Sequence, residues 1–198
     1  MEHLPVEHLP VEHLSYAELE AGLAEVLGSP KDVGTVELIV RRPAVDEREV
    51  LEVATLDPAW GVVGDTWRDR GVPSDPHGPA DPDRQLNVIN ARFARLVAVH
   101  PDRRALAGDQ LHLDLHLAQD NLPVGTRLAL GDAVIEVTSP PHTGCAKFSA
   151  RFGADAMRLV NTPEGRAQRL RGLNARVVTG GTVRTGDSVR TLRSSGGA

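Results

Sequence analysis

Short apolar runs, separated by glycine, proline and aspartate, fill most of the chain after residue 33. Gly34-Thr35-Val36-Glu37-Leu38-Ile39-Val40 and Arg48-Glu49-Val50-Leu51-Glu52-Val53-Ala54 read as strands. Residues 111–117 alternate leucine strictly with His112, Asp114 and His116, which predicts a strand with one buried and one wet face. Residues 126–130 and 133–138 flank Gly131-Asp132, a hairpin signal. Two or three further strands fit between residues 174 and 192, turning at Gly180-Gly181 and Gly186-Asp187. Helical spacing is scarcer. Ser15-Tyr16-Ala17-Glu18 is a capping box ahead of Leu19, Leu23 and Leu27 on one face, and Gly28-Ser29-Pro30 closes it. Residues 90–99 predict a short helix capped by Asn90, residues 148–160 another despite Gly153, and Pro163 starts a third. Residues 68–84, rich in Pro, Asp and Gly, form a long loop, a kind that is often functional. The pattern predicts a mainly β fold with some α, a β-barrel with short peripheral helices.

The first residues depart from this pattern. Glu-His-Leu-Pro-Val runs twice and begins a third time, which places His3, His8 and His13 five residues apart. That spacing alternates faces in a strand and falls about 140° off register in a helix, which the prolines would break anyway. A mobile tail over 1–14 is therefore expected, not a metal site. A helix and linker follow over 15–33, then the main domain over 34–192 and a loose end over 193–198.

Composition narrows the partners. A formal charge of −5 argues against a general nucleic-acid binder. No apolar run reaches the length of a membrane span, and the start lacks the basic-then-apolar pattern of a secretory signal. No membrane partner and a cytoplasmic location are expected. Twenty of the 22 basic residues are arginine, so a pyridoxal-type Schiff base has only Lys31 and Lys147 to use.

The single cysteine, Cys145, excludes an internal disulfide. It lies between a strand-like and a helix-like run, where the positive end of a helix favours thiolate, and Lys147 and Arg151 push the same way. Such a thiol is either an inert filler or the working atom. Its flanks, Pro140, Pro141, His142, Thr143 and Gly144, are turn-forming, and Gly144 permits close approach of a ligand, which favours the working atom. His112, Asp114 and His116 share the predicted wet face; a solvated polar row is the commoner reading there, a metal site the rarer one.

The segments Gly108-Asp109-Gln110-Leu111, Asn121-Leu122-Pro123-Val124-Gly125 and Gly131-Asp132-Ala133-Val134-Ile135-Glu136-Val137 resemble the MOSC domain family. So do Gly144-Cys145-Ala146-Lys147-Phe148, Arg151-Phe152-Gly153, Arg171-Gly172-Leu173-Asn174-Ala175 and Gly186-Asp187. They keep a consistent order across residues 34–192. The chain departs from many stand-alone bacterial members after Gly64-Asp65, where their His-Gly-Gly segment is replaced by Asp83-Arg84-Gln85-Leu86-Asn87.

The resemblance implies a MOSC-type β-barrel and a role around molybdenum cofactor. The family's cysteine falls on Cys145. In relatives that reduce N-hydroxylated compounds it ligates molybdenum, and in sulfurase-type relatives it is thought to carry persulfide sulfur. Cys145, His142 and Lys147 are then the catalytic candidates, with Cys145 also the metal ligand. Thr143, Gly144, Asn121, Arg151, Arg169 and Arg171 are the cofactor-binding candidates, arginine being suited to an anionic group. Asn87, Asn90 and Asn121 suit a ring edge or a cap, and for Asn90 capping is the better reading. Pyridoxal phosphate is not expected, because the desulfurase domain that uses it in some members is absent from this sequence. An electron-transfer or sulfur-donor protein is the implied partner, alongside a small-molecule substrate, since no flavin, haem or iron–sulfur motif is present. Three readings stay open: a reductase, a persulfide carrier or cofactor-binding module, and a barrel without chemistry.

Overall fold

A computed structural model describes residues 12–71, 75 and 78–193. Most of the pentapeptide repeat, and all of the expected C-terminal coda but Arg193, lie outside these residues. Eleven strands are present among the described residues: β1 (Val33–Arg41), β2 (Glu49–Leu51), β3 (Val53–Asp57), β4 (Gly61–Val62), β5 (Leu86–Asn90), β6 (Leu111–Asp114), β7 (Arg127–Leu130), β8 (Ala133–Val137), β9 (Leu173–Thr179), β10 (Gly181–Arg184) and β11 (Ser188–Leu192). Pairing runs β11-β7-β8-β9-β5-β6-β1, and β1 returns to β11, which closes a barrel of seven strands. β2 extends from β1, and β10, β3 and β4 form a small separate sheet. The fold is thus mainly β with some α, as the alternation predicts.

Of the barrel pairings only β5 with β6 is parallel. A parallel pair needs a crossover, here α2 (Ala91–Ala98) and a 3-10 turn (Pro101–Ala107). Asn90 caps α2 by accepting from the Arg92 and Phe93 amides. The barrel interior is apolar, with Val36, Leu86, Val88, Leu111, Leu113, Leu128, Ile135, Leu173 and Ala175 in one cluster. A second cluster lies outside the barrel. There Ile89 and Phe93 meet α1 (Tyr16–Leu27), α3 (Ala146–Phe152) and α4 (Ala154–Asn161) through Leu19, Val26, Phe148, Phe152 and Leu159. α5 (Pro163–Ala167) follows, with Thr162 accepting from the Gly165 amide.

Four expectations need correction. The helix over 148–160 is two helices, broken at Gly153 with φ +93, a backbone that only glycine adopts cheaply. The run 48–54 is divided at Glu52 between β2 and β3, which belong to different sheets. In α1 it is Val26, not Leu27, that faces the core, and Leu27 is 42% exposed. The wet face expected of β6 is largely covered, because α2 crosses it. His112 is 1% exposed, and Asp114 accepts two hydrogen bonds from Arg92 of α2 (2.7 and 3.1 Å). The row is therefore not evenly solvated, being sealed at His112 and half-buried at Asp114 and His116; among the described residues no three His, Cys, Asp or Glu side chains converge as a ligand set.

Candidate functional site

Side chains alternate along β5 and β9, so Asn87 and Asn174, register partners, lie on the opposite face from the inward Leu86, Val88, Leu173 and Ala175. Asn87 donates to Asn174 (2.7 Å), and Asn174 donates to the Pro140 carbonyl (2.9 Å). On the other side, Arg42 donates to Asn87 (2.9 Å) and grips Asp65 with two bonds of 2.9 Å. Burial opposes the charge on Asp65, but the hydrogen bonds and charge of Arg42 outweigh it and hold the carboxyl below its ordinary range. One continuous polar chain thus runs from Asp65 to the 139–145 loop.

That loop ends at Cys145, the N-cap of α3, whose free thiol is exposed. Gly144 seats the loop against α4: a methyl group there would stand 2.5 Å from Met157 Sδ. Residues 141–143 divide two cavities. One, of about 280 Å³, is bounded by Arg42, Trp67, Arg70, Asp81, Arg84 and Asn87. The other, of about 290 Å³, is walled by Val124, Pro140, Val160, Leu173, Arg166 and Arg169. His142, Thr143 and Asn174 face both.

His142 is positioned from behind. Its Nδ1 is buried 3.3 Å from Asp109 Oδ1, without the alignment of a hydrogen bond, so both atoms lack a partner. Gly172, with φ +109, makes room for it; a methyl group there would sit 3.1 Å from Nδ1. Burial, together with the charges of Arg171, Arg42 and Arg84, holds the imidazole well below its ordinary pKa, so it is neutral at pH 7. Burial pushes the Asp109 carboxyl up, against the pull of Arg171 at 2.7 Å. The Arg171 guanidinium also lies over the Phe148 ring, which links the pair to α3.

Arg169 supplies the second cavity with charge. Its Nη1 donates to the Leu122 carbonyl (2.6 Å), burial lowers its pKa, and among the described residues no carboxylate is in ion-pair contact with it.

The model of the family described as MOSC domain matches residues 76–190. The chain belongs to the MOSC domain family. The YuaD protein from Bacillus subtilis superimposes with a TM-score of 0.58 at 14% identity, covering 81% of this chain and 97% of that one. YiiM from Escherichia coli gives 0.52 at 18% identity, covering 81% of this chain and 70% of that one. At these identities the likeness establishes a shared fold. No curated protein sequence matches the chain.

Within this MOSC barrel the sequence-predicted residues fall into two groups. His142, Thr143, Arg169 and Arg171 line the second cavity, whereas Gly144 and Cys145, next along the chain, line neither. Lys147, Arg151 and Asn121 border neither cavity. Lys147 and Arg151 both reach Asp46 (2.7 and 3.2 Å), and Arg151 also donates to the Leu106 carbonyl. Asn121 spends its amide on the Lys31 and His116 carbonyls, which holds a loop rather than a ligand. Sequence reasoning missed Arg42, Asp65, Asn174 and the approach of Asp109 to His142. The available signal was polar residues at sites flanked by core positions, as in Leu86-Asn87-Val88 and Leu173-Asn174-Ala175.

No helix among the described residues is long and apolar enough to cross a membrane.

Proposed function

We propose that this chain binds molybdenum cofactor, with Cys145 supplying a thiolate to the metal, and that the loaded protein reduces N-hydroxylated compounds using electrons from a separate donor protein. The observation that carries this reading is the position of the chain's one thiol, exposed at the end of the loop that divides the two cavities.

The residues present fit the group. Thiolate suits molybdenum, and the pterin's own sulfurs would complete the site without a histidine cluster. The uncompensated Arg169, with Arg166, suits the cofactor's phosphate, and Thr143 and Asn174 offer polar contacts to the pterin. When bound, the cofactor supplies the redox chemistry. The chain's own residues bind and orient. Neutral His142, with Nδ1 buried beside Asp109, leaves its other nitrogen to exchange a proton with a group in either cavity. The Arg42–Asn87–Asn174 chain fixes the loop that sets where Cys145 stands.

A second reading, a persulfide carrier, is favoured by the same exposure, since a donor protein can reach the thiol directly. Elemental analysis of protein from cofactor-synthesising cells, paired with intact-mass measurement for an added sulfur, separates the two. Molybdenum in the wild type and none in a folded Cys145→Ser variant supports the reductase reading. An added sulfur on Cys145 without molybdenum supports the carrier. A variant as metal-loaded as the wild type overturns the first.

A further inference from the structure

Beside α3, at a place that lines neither cavity, three cations gather about one carboxylate, Asp46. Asp46 Oδ1 takes Lys147 Nζ at 2.7 Å and Arg151 Nη2 at 3.2 Å. Asp46 belongs to the 42–48 connection between β1 and β2, more than a hundred residues from α3 in sequence, and its backbone is left-handed at φ +62. Its side chain is largely exposed. Arg48, two residues on, donates to its neighbour Glu47's carbonyl (2.5 Å), and its Nε is buried with no partner. Arg103, only 4% exposed, donates to the Arg151 carbonyl, and its Nε also has no partner. Among the described residues neither Arg48 nor Arg103 has a carboxylate in ion-pair contact.

This is an excess of positive charge that the fold does not compensate. Burying a guanidinium is tolerated when a counter-charge comes with it, and here a single exposed carboxylate pairs with Lys147 and Arg151 alone. Burial, with repulsion from Arg151, Arg42 and Arg70, lowers the pKa of Arg48, and Asp46 opposes that shift only in part. An exposed ion pair is weak and easily exchanged. A dianion with three acceptor oxygens can engage Arg48, Lys147 and Arg151 together, where one oxygen of Asp46 now serves two of them.

We propose that Arg48, Lys147 and Arg151 form a binding site for a phosphate-type oxyanion, and that Asp46 is a tethered carboxylate which occupies the site until the ligand displaces it. The site takes free phosphate or the phosphate end of a monoester. It borders neither cavity and stands independently of the reading of Cys145.

The test is titration calorimetry with inorganic phosphate and, separately, phosphoserine, on proteins whose melting confirms the fold. Asp46→Asn removes the competing charge and tightens phosphate binding by about tenfold or more over the wild type. Arg48→Gln added to Asp46→Asn abolishes that gain, whereas Arg158→Gln, an exposed arginine of α4, does not. Phosphoserine binding marks a monoester site, and binding of inorganic phosphate alone marks a free-ion site; either supports the assignment. Cys145→Ser leaves the affinity unchanged, so this proposal and the molybdenum reading fail separately. No tightening in Asp46→Asn, or a gain that survives Arg48→Gln, overturns it.

Discussion

The two faces of β5 and β9 differ by a single residue step. Facing inward, Leu86, Val88, Leu173 and Ala175 touch other apolar side chains in the sealed barrel. Facing outward, Asn87 and Asn174 bond one another and pass the connection to Arg42 and to the loop that ends at Cys145. The inner face stabilises through area removed from water, which has no direction. The outer face fixes direction through hydrogen bonds whose net contribution to stability is modest, about 1 kcal/mol each. One pair of strands therefore acts as wall and as scaffold, and the two roles respond differently to substitution.

The largest effect is expected at the charged end of the scaffold. Arg42→Ala leaves the buried Asp65 with only the more distant Arg70 (3.3 Å) as counter-charge and costs about 3 kcal/mol in urea unfolding. Leu86→Ala, on the wall, costs a comparable ~2–5 kcal/mol through its cavity. The two separate in alkylation of Cys145 under native conditions: Arg42→Ala changes the rate and Leu86→Ala does not. Equal rates in both variants would erase the distinction between the faces.

Acid gives a smaller effect. Burial, with the charges of Arg104 and Arg171, lowers the pKa of His112 to about 3, and neither ring nitrogen reaches a hydrogen-bond partner, the Asp109 backbone included. The unfolded chain takes up this proton near pH 6.5 and the folded chain does not. Stability is therefore full above pH 6.5 and is lost as pH falls from there towards 3, by about 2 kcal/mol at pH 5 from this residue. His112→Leu flattens that slope, as urea midpoints across pH 5–7 would read. An unchanged slope would mean that the imidazole is protonated in the fold.

The smallest effect on stability, about 1 kcal/mol, is expected from Asn174→Ala. It unties the Pro140 carbonyl, so amide exchange at residues 142–145 quickens while the barrel strands keep their protection.

Much of the frame was legible because strand alternation and glycine turns are local signals. The hairpin at Gly131-Asp132, the Asn90 cap and the Ser15–Glu18 box all depend on neighbours in sequence. The wet face assigned to His112 was not legible, because what covers it is α2, a tertiary contact absent from the local pattern. The division is the same at the site. The 139–145 loop announces itself through its prolines and cysteine, and Arg169 and Arg171 lie close enough in sequence to be grouped with it. Arg42, Asp65, Asn87 and Asn174 are joined across separations of 23 to 87 residues, which no local spacing reveals. Asn121 had the right chemistry, but backbone carbonyls claimed its amide.

X-ray absorption at the molybdenum edge of the loaded protein tests the role of Cys145 most directly. The wild type is expected to show a sulfur neighbour beyond those of the pterin, missing when Cys145→Ser protein is refilled with the cofactor. Identical sulfur shells in the two proteins would contradict ligation by Cys145.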